Sequence, residues 1–157
     1  MKQYILITIL LLSQFSGAVF ALEECSGILS VFWTNCVGTD TYASGDQYTG
    51  EFKYGKPYGQ GTVIWANGNQ YTGEVKDSIP DGQGTFIWGV DTKFAGDQYI
   101  GEWKDGKAYG QGIVIWASGD KFIGEWKDFE QHGQGTYIRA DGTIQTGIWE
   151  NHEYLGQ

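Results

Sequence analysis

Few residues of this 157-residue chain belong to types that do chemistry alone: two cysteines and two histidines, set among recurring carboxylates. Cys25 and Cys36 lie near the amino terminus, while His132 and His152 lie in the last third of the chain. A metal site built on the cysteines would need ligands from that distant region. In an oxidising compartment a disulfide between Cys25 and Cys36 is therefore the prediction, with free thiols or a metal site as the alternatives.

The carboxylates recur beside glycines, at Asp46, Asp97, Asp120 and Asp141. A calcium loop needs a denser alternation of Asp and Asn, so we interpret these residues as turn caps. Catalysis needs unlike groups that converge on one place, whereas this chain repeats the same groups at the same offsets. The sequence therefore predicts no catalytic residue, no metal and no cofactor.

The amino terminus has the layout of a secretory signal peptide. Lys2 precedes an apolar run over residues 4–12, and the small-residue ending "VFA" closes at Ala21. The alternative is a retained membrane anchor, but the apolar run is well short of the roughly 20 residues that span a bilayer. We predict a signal peptide at residues 1–21 and a periplasmic or secreted protein.

Composition restricts the partners and the fold. The formal net charge of −9 disfavours nucleic acid and, more weakly, direct attachment to an anionic bilayer. The 25 glycines, together with 16% aromatic residues, are unusual for a helical protein and favour short strands joined by tight turns.

The strongest pattern is an internal repeat. The dipeptide "GE" begins at Gly50, Gly73, Gly101 and Gly124, and Gly147 continues the series. The spacing is constant except for an insertion between Trp88 and Tyr99. We divide the chain into the signal peptide, an amino-terminal cap with a half-repeat over residues 22–45, and an array over residues 46–157. That array comprises four full repeats and a carboxyl-terminal half-repeat.

Each repeat is predicted to form a β-hairpin, in which "QYIGEWK" and "GIVIW" are strands and "DGKAYG" is the turn between them. Strand alternation places aromatic residues and glycines on one face, which is expected to be packed, and Glu and Lys with aliphatic residues on the other. Glu and Lys two residues apart, as in Glu102 and Lys104, are expected to form a ladder of charge pairs. The predicted aromatic and glycine positions are Tyr48, Gly50, Phe52, Trp65, Tyr71, Gly73, Trp88, Tyr99, Gly101, Trp103, Trp116, Phe122, Gly124, Trp126, Tyr137 and Trp149.

The segments "YTGEFKYGKPYGQGTVIWANG" and "YIGEWKDGKAYGQGIVIWASG" resemble the MORN (membrane occupation and recognition nexus) repeat. The resemblance implies an elongated, twisted antiparallel sheet of stacked hairpins that binds partners and has no catalytic activity of its own. The chain departs from the family pattern at Val75 and Arg139, which replace aromatic residues. It departs again at Tyr58, Asp81 and Tyr109, where the family often has the histidine that is kept at His132.

From these observations we predict a non-enzymatic scaffold of the cell envelope that binds a protein. The alternatives are a module associated with membrane phospholipid, and a module that binds cell-wall polysaccharide on its aromatic face, although those rings would also serve as a core. The tail ends where a further strand would begin, so the strand Gln145–Trp149 is expected to expose an edge. Exposed edges invite self-association or pairing with a partner strand.

Overall fold

The computed structural model describes residues 22–27 and 29–157, which form one twelve-stranded sheet with its strands in chain order. Strands β1 and β2 pair in parallel, and every later neighbouring pair is antiparallel. The predicted all-β, twisted antiparallel array is therefore confirmed. The predicted signal peptide lies outside the described residues.

The strands are β1 (Glu23–Glu24), β2 (Cys36–Thr41), β3 (Gln47–Lys53), β4 (Lys56–Ile64), β5 (Gln70–Lys76), β6 (Ile79–Ile87), β7 (Gln98–Lys104), β8 (Lys107–Ile115), β9 (Lys121–Lys127), β10 (Glu130–Ile138), β11 (Ile144–Glu150) and β12 (Glu153–Gly156), with a short 3-10 helix at Ser30–Phe32. No helix in the described part of the chain is long and apolar enough to cross a membrane.

The hairpin turns are shorter than predicted. In the third repeat the turn is Asp105–Gly106 alone, with φ of 49° and 78°, and β8 already starts at Lys107. Two central residues with positive φ define the type I′ turn, whose twist matches that of the strands. Lys107 and Ala108 pair regularly with Lys104 and Trp103, and the last two residues of "DGKAYG" lie in a β-bulge, where the register shifts between Gly101 and Trp103 and Gly110 has φ of 65°.

The bulge explains the repeated glutamate. The Gln111 N–H donates to Glu102 Oε1 at 3.0 Å, so this side chain binds a backbone donor of the bulged strand. In the other repeats the backbone N–H groups of Gln60, Gln83 and Gln134 donate in the same way to Glu51, Glu74 and Glu125. The predicted ladder of Glu–Lys pairs is therefore wrong: the ion pairs of the described residues are Lys56–Asp77 and Lys107–Asp128.

The core lies on one face of the sheet. Tyr48, Tyr71, Tyr99 and Phe122 are at most 1% exposed and occupy equivalent positions in successive repeats. The Tyr99 ring lies flat against Gly112 of the next strand, where a Cβ atom would come within 2.6 Å of the ring carbon Cζ. The other three rings cover Gly61, Gly84 and Gly135 in the same way. A side chain at these glycines would displace the ring that forms the core.

The carboxyl end differs from the prediction. A two-residue turn at Asn151–His152 leads into β12, which pairs with Ile148–Glu150 of β11. The Tyr154 hydroxyl also donates to the Thr146 carbonyl at 3.1 Å. The predicted exposed edge along Gln145–Trp149 is therefore wrong at Ile148 and Trp149, whereas β12 makes no register pair with residues 145–147. The sequence pattern placed the start of the second strand at Gly156. In the structure the second strand begins directly after the hairpin turn, at Glu153.

Candidate binding groove

The predicted aromatic positions fall into a buried group and a half-buried group. In the buried group, the indole Nε1 atoms of Trp126 and Trp149 donate to the carbonyls of Gly112 and Gly135 at 3.1 and 3.2 Å. These rings are fixed in the scaffold. The buried predicted residues are Tyr48, Gly50, Phe52, Tyr71, Gly73, Tyr99, Gly101, Trp103, Phe122, Gly124, Trp126 and Trp149, and the half-buried ones are Trp65, Trp88, Trp116 and Tyr137.

Three half-buried tryptophans line two adjacent hollows on the aromatic face. The larger hollow encloses about 460 Å³ and the smaller about 220 Å³, and both are lined by Trp88 and Phe129. We call the two hollows together the aromatic groove. The larger is lined by Trp88, Phe94, Asp97, Tyr99, Ala108, Val114, Trp116, Trp126, Phe129 and His152, and the smaller by Trp65, Pro80, Phe86, Trp88, Trp103, Gly106 and Phe129.

The insertion supplies one wall of the groove. It enlarges the turn between β6 and β7, which is closed by a hydrogen bond from the Trp88 N–H to the Asp97 carbonyl at 3.0 Å. Phe94 projects from this turn with 46% of its surface exposed, and its ring centroid lies 6.2 Å from that of Trp88. The predicted insertion therefore lies at the groove.

Phe129 is a groove residue that sequence reasoning missed. It is the second residue of the turn between β9 and β10, has φ of 71° and is 44% exposed. Its N–H donates to the Ala108 carbonyl at 3.2 Å, and its ring lies 5.9 Å from that of Trp103. The available signal was an aromatic residue at a turn position that holds glycine at Gly55 and Gly106.

The groove carries little charge. Its ionisable side chains are Asp97, Tyr99 and His152, and no Lys or Arg among the described residues lines it. Burial, and then the nearby Glu102 carboxylate, raise the pKa of Tyr99, whose hydroxyl donates to the Glu102 carbonyl at 3.0 Å. Because that hydroxyl is engaged with the scaffold, the groove offers mainly apolar surface.

The recurring aspartates tie neighbouring turns together. Asp97 Oδ1 accepts a hydrogen bond from the Ala117 N–H of the next turn at 2.8 Å, and Asp46 and Asp120 do the same for Ala66 and Ala140. Asp141 instead accepts from Thr143 within its own turn at 2.8 Å. Within residues 22–27 and 29–157, no three His, Cys, Asp or Glu side chains gather as a metal site.

The disulfide Cys25–Cys36 lies at the opposite end of the described chain from β12, with the sulfur atoms 2.11 Å apart. The Cys25 N–H also donates to the Val37 carbonyl at 2.8 Å, which continues the pairing of β1 with β2. Trp33 packs beside this bridge against Phe52, with ring centroids 4.9 Å apart. A disulfide at this position is compatible with an exported protein.

The family model for the MORN repeat matches residues 48–70, 71–92, 99–121 and 122–144, more than half of the chain. The chain therefore belongs to the MORN-repeat family. MORN repeats are generally modules that bind proteins or membrane lipids, and they are generally not catalytic. A comparison with curated proteins found no significant match. The interval between the second and third matches contains Phe94, so this wall of the groove lies outside the matched repeats.

Proposed function

We propose that this protein is an exported, non-enzymatic module of the cell envelope that holds a segment of a protein partner in the aromatic groove. The observation that carries the proposal is the exposure of Phe94 and Phe129 beside half-buried tryptophans on a face that is otherwise packed. Apolar surface gathered in a concave site is typical of a place where a ligand is held.

The chemistry of the groove favours a polypeptide over the other ligand classes. A sugar stacks on aromatic rings but also needs several hydrogen-bonding groups around them, and here, beside the indole N–H groups of the tryptophans, the described lining supplies Asp97 and His152. An anionic bilayer would be repelled by a chain with a formal net charge of −9. Apolar side chains of a peptide match the lining directly.

Export and self-association remain parts of the proposal. The arrangement of residues 1–21 and the Cys25–Cys36 bridge support a periplasmic or secreted location. A second copy of the chain is the other candidate partner. It would pair at the carboxyl edge, where β12 is the outermost strand of the sheet. Sedimentation of the purified protein at tens of micromolar, with and without residues 143–157, tests that option separately.

Site-specific photocrosslinking in the native cells tests the groove. A photoreactive amino acid replaces Phe94 in one strain and Ile123 in another. The two positions are matched in exposure, at 46% and 44%, but lie on opposite faces of the sheet. We expect position 94, and not position 123, to give a discrete adduct with one protein, identified by mass spectrometry.

The crosslinking results also separate the alternatives. Equal adducts from the two positions, or none from position 94, would contradict binding in the groove. If the protein with a photoreactive residue at position 94 instead forms adducts only with polysaccharide, or only with lipid, the proposed protein partner is wrong and the groove serves that other ligand.

A further inference from the structure

The backbone of Phe129 is unfavourable for its residue type. At the second position of the hairpin turn, φ is 73° at Gly55, 78° at Gly106 and 71° at Phe129. A residue with a Cβ atom is strained in this left-handed region, and a bulky one is an outlier there. Since nearly half of the Phe129 surface stays exposed, the free energy gained by burying the ring offsets only part of the cost of that strain. Strain kept in an exposed aromatic residue suggests a role in binding.

Phe129 lies at the junction of the two hollows. It lines the larger hollow with Trp116 and the smaller one with Trp65, and the two hollows meet beside it. Its ring is held edge-on to Trp103, with an interplanar angle of 79°. The ring therefore forms a wall between two subsites of unequal size. The larger subsite suits an aromatic side chain, and the smaller suits an aliphatic one.

The charge around these subsites selects for cations. Asp97 lines the larger hollow, and the described lining contains no Lys or Arg to neutralise it. The Asp97 carboxylate is held in place by the Ala117 N–H at 2.8 Å. Charge complementarity of this kind sets the specificity of an interface more than its affinity.

We propose that the occupant of the aromatic groove is a cationic segment of a protein, with an aromatic and an aliphatic side chain placed on either side of Phe129. Lys or Arg next to the aromatic side chain meets Asp97. Two side chains that are two residues apart in an extended segment point the same way, so a short peptide can fill both subsites. This inference rests on the proposed function, since it names the chemistry of the partner held in the groove.

Defined peptides test the chemistry. The probe is fluorescein-labelled Lys-Phe-Gly-Leu-Lys, and its binding to the purified protein is followed by fluorescence anisotropy. One comparison peptide has Glu for each Lys, and another has Ser for Phe and Leu. We expect each comparison peptide to bind about tenfold more weakly than the probe. Equal binding of the three peptides would overturn the proposal.

Substitutions at Phe129 separate binding from folding. We expect Phe129→Gly to weaken the Lys-Phe-Gly-Leu-Lys complex about tenfold, with little change in the thermal unfolding midpoint because strain is relieved as apolar contact is lost. Phe129→Ser, which copies Ser78 of the second repeat, should weaken peptide binding alike and serves if the glycine variant does not fold, although its unfolding midpoint should fall because the strain remains while apolar contact is lost. The matched control is Ser78→Gly, which relieves the same strain without altering the groove. It should leave peptide binding unchanged.

Asp97→Asn tests the charge alone. Asparagine can keep the hydrogen bond to the next turn, because Asn69 Oδ1 already accepts from the Gly89 N–H at 2.9 Å in the second repeat. We expect this variant to lose several-fold in affinity for the lysine peptide and to gain for the glutamate peptide. Asp46→Asn, at the equivalent position outside the groove, should change neither affinity.

These results distinguish the inference from the proposed function. Unchanged peptide binding in both Phe129 variants, or unchanged charge preference in Asp97→Asn, would overturn the inference. If position 94 still crosslinks a protein partner in that case, the proposed function stands and only the cationic, two-subsite chemistry is wrong.

Discussion

The residues at the centres of the strands vary little between repeats, whereas those in the turns at the strand ends vary more. At the strand centres every full repeat has an aromatic ring, a glycine and a glutamate in the same three roles. At the turns, the equivalent of Ser78 is Phe129, and the insertion after Trp88 replaces the compact turn Trp65–Asn69. The groove combines tryptophans at a position shared by the repeats, Trp65, Trp88 and Trp116, with Phe94 and Phe129, which lie where the repeats differ. The shared residues therefore build the scaffold and much of the groove lining, and the deviations add the exposed aromatic walls.

The physical reason is the number of constraints at each place. At a strand centre, the ring needs a glycine beneath it and the bulge needs a carboxylate, so few substitutions are tolerated. The second turn residue needs only a left-handed backbone, which glycine supplies most easily and other residues reach at a cost of about 1–2 kcal/mol. A turn can therefore exchange some stability for a contact with a ligand.

The largest effect is expected at a strand centre. In Gly101→Ala the new Cβ would lie 2.5 Å from the Gln111 carbonyl oxygen and 2.8 Å from the Tyr99 hydroxyl. We expect the free energy of unfolding to fall by about 3 kcal/mol, since overpacking forces backbone and ring to shift. Denaturant unfolding measures it. Ile100→Ala, on the opposite face of the same strand, should cost only about 1 kcal/mol. Equal losses would remove the contrast between the faces.

Reduction of the disulfide comes next and should be local. Opening Cys25–Cys36, which are 11 residues apart, is expected to cost about 2–3 kcal/mol at the amino-terminal end. Because a repeat array is stabilised by neighbouring units, hydrogen exchange should rise in β2 and β3 and stay unchanged in β9 and β10. Uniformly faster exchange would show that the array unfolds as one unit.

Removal of a buried hydroxyl is expected to have a moderate effect. Tyr99→Phe loses the hydrogen bond to the Glu102 carbonyl and should cost about 1 kcal/mol, while the fourth repeat already has Phe122 there. Burial raises the pKa of Tyr99 above the unfolded value of about 10. Its stabilisation is therefore complete below that pH and is lost as the pH rises through the folded pKa. The variant should lose stability less steeply at alkaline pH in urea unfolding. An unchanged slope would contradict this.

The smallest effect is expected at a turn, and its sign is opposite. Ser78→Gly should raise the free energy of unfolding by about 0.5–1 kcal/mol, because glycine adopts φ of 72° without strain. Thermal unfolding followed by circular dichroism measures the gain. A loss of stability would show that the Ser78 side chain has a structural role, and Ser78→Gly would then not serve as the control for Phe129.

Much of the scaffold could be predicted from the sequence because the repeat supplies several aligned copies of each constraint. The alternation of Tyr99, Gly101 and Trp103 correctly indicated the packed face. The role of Glu102 was missed because a side chain that binds a bulge looks, in sequence, like half of an ion pair with Lys104. β12 was missed because it carries the bulge glycine, Gly156, but not the equivalent of Gly112, by which the second strand of each repeat was recognised.

The groove was harder to predict for a different reason. Phe94 and Phe129 are single residues in turns, where no repetition reveals their role. The approach of Phe94 to Trp88 depends on the fold of the inserted turn, and the approach of Phe129 to Trp103 depends on its left-handed backbone. Neither property follows from strand periodicity, which describes only the residues inside the strands.

Nuclear magnetic resonance of the indole N–H groups tests the central claim most directly. The chain has seven tryptophans, of which five line the groove, among them the half-buried Trp88 and Trp116, while Trp149 lies outside both hollows and donates to the Gly135 carbonyl. On titration with the Lys-Phe-Gly-Leu-Lys peptide, the account predicts that the signals of Trp88 and Trp116 shift and that of Trp149 stays in place. Shifts of Trp149 alone, or none in Trp88 and Trp116, would contradict it.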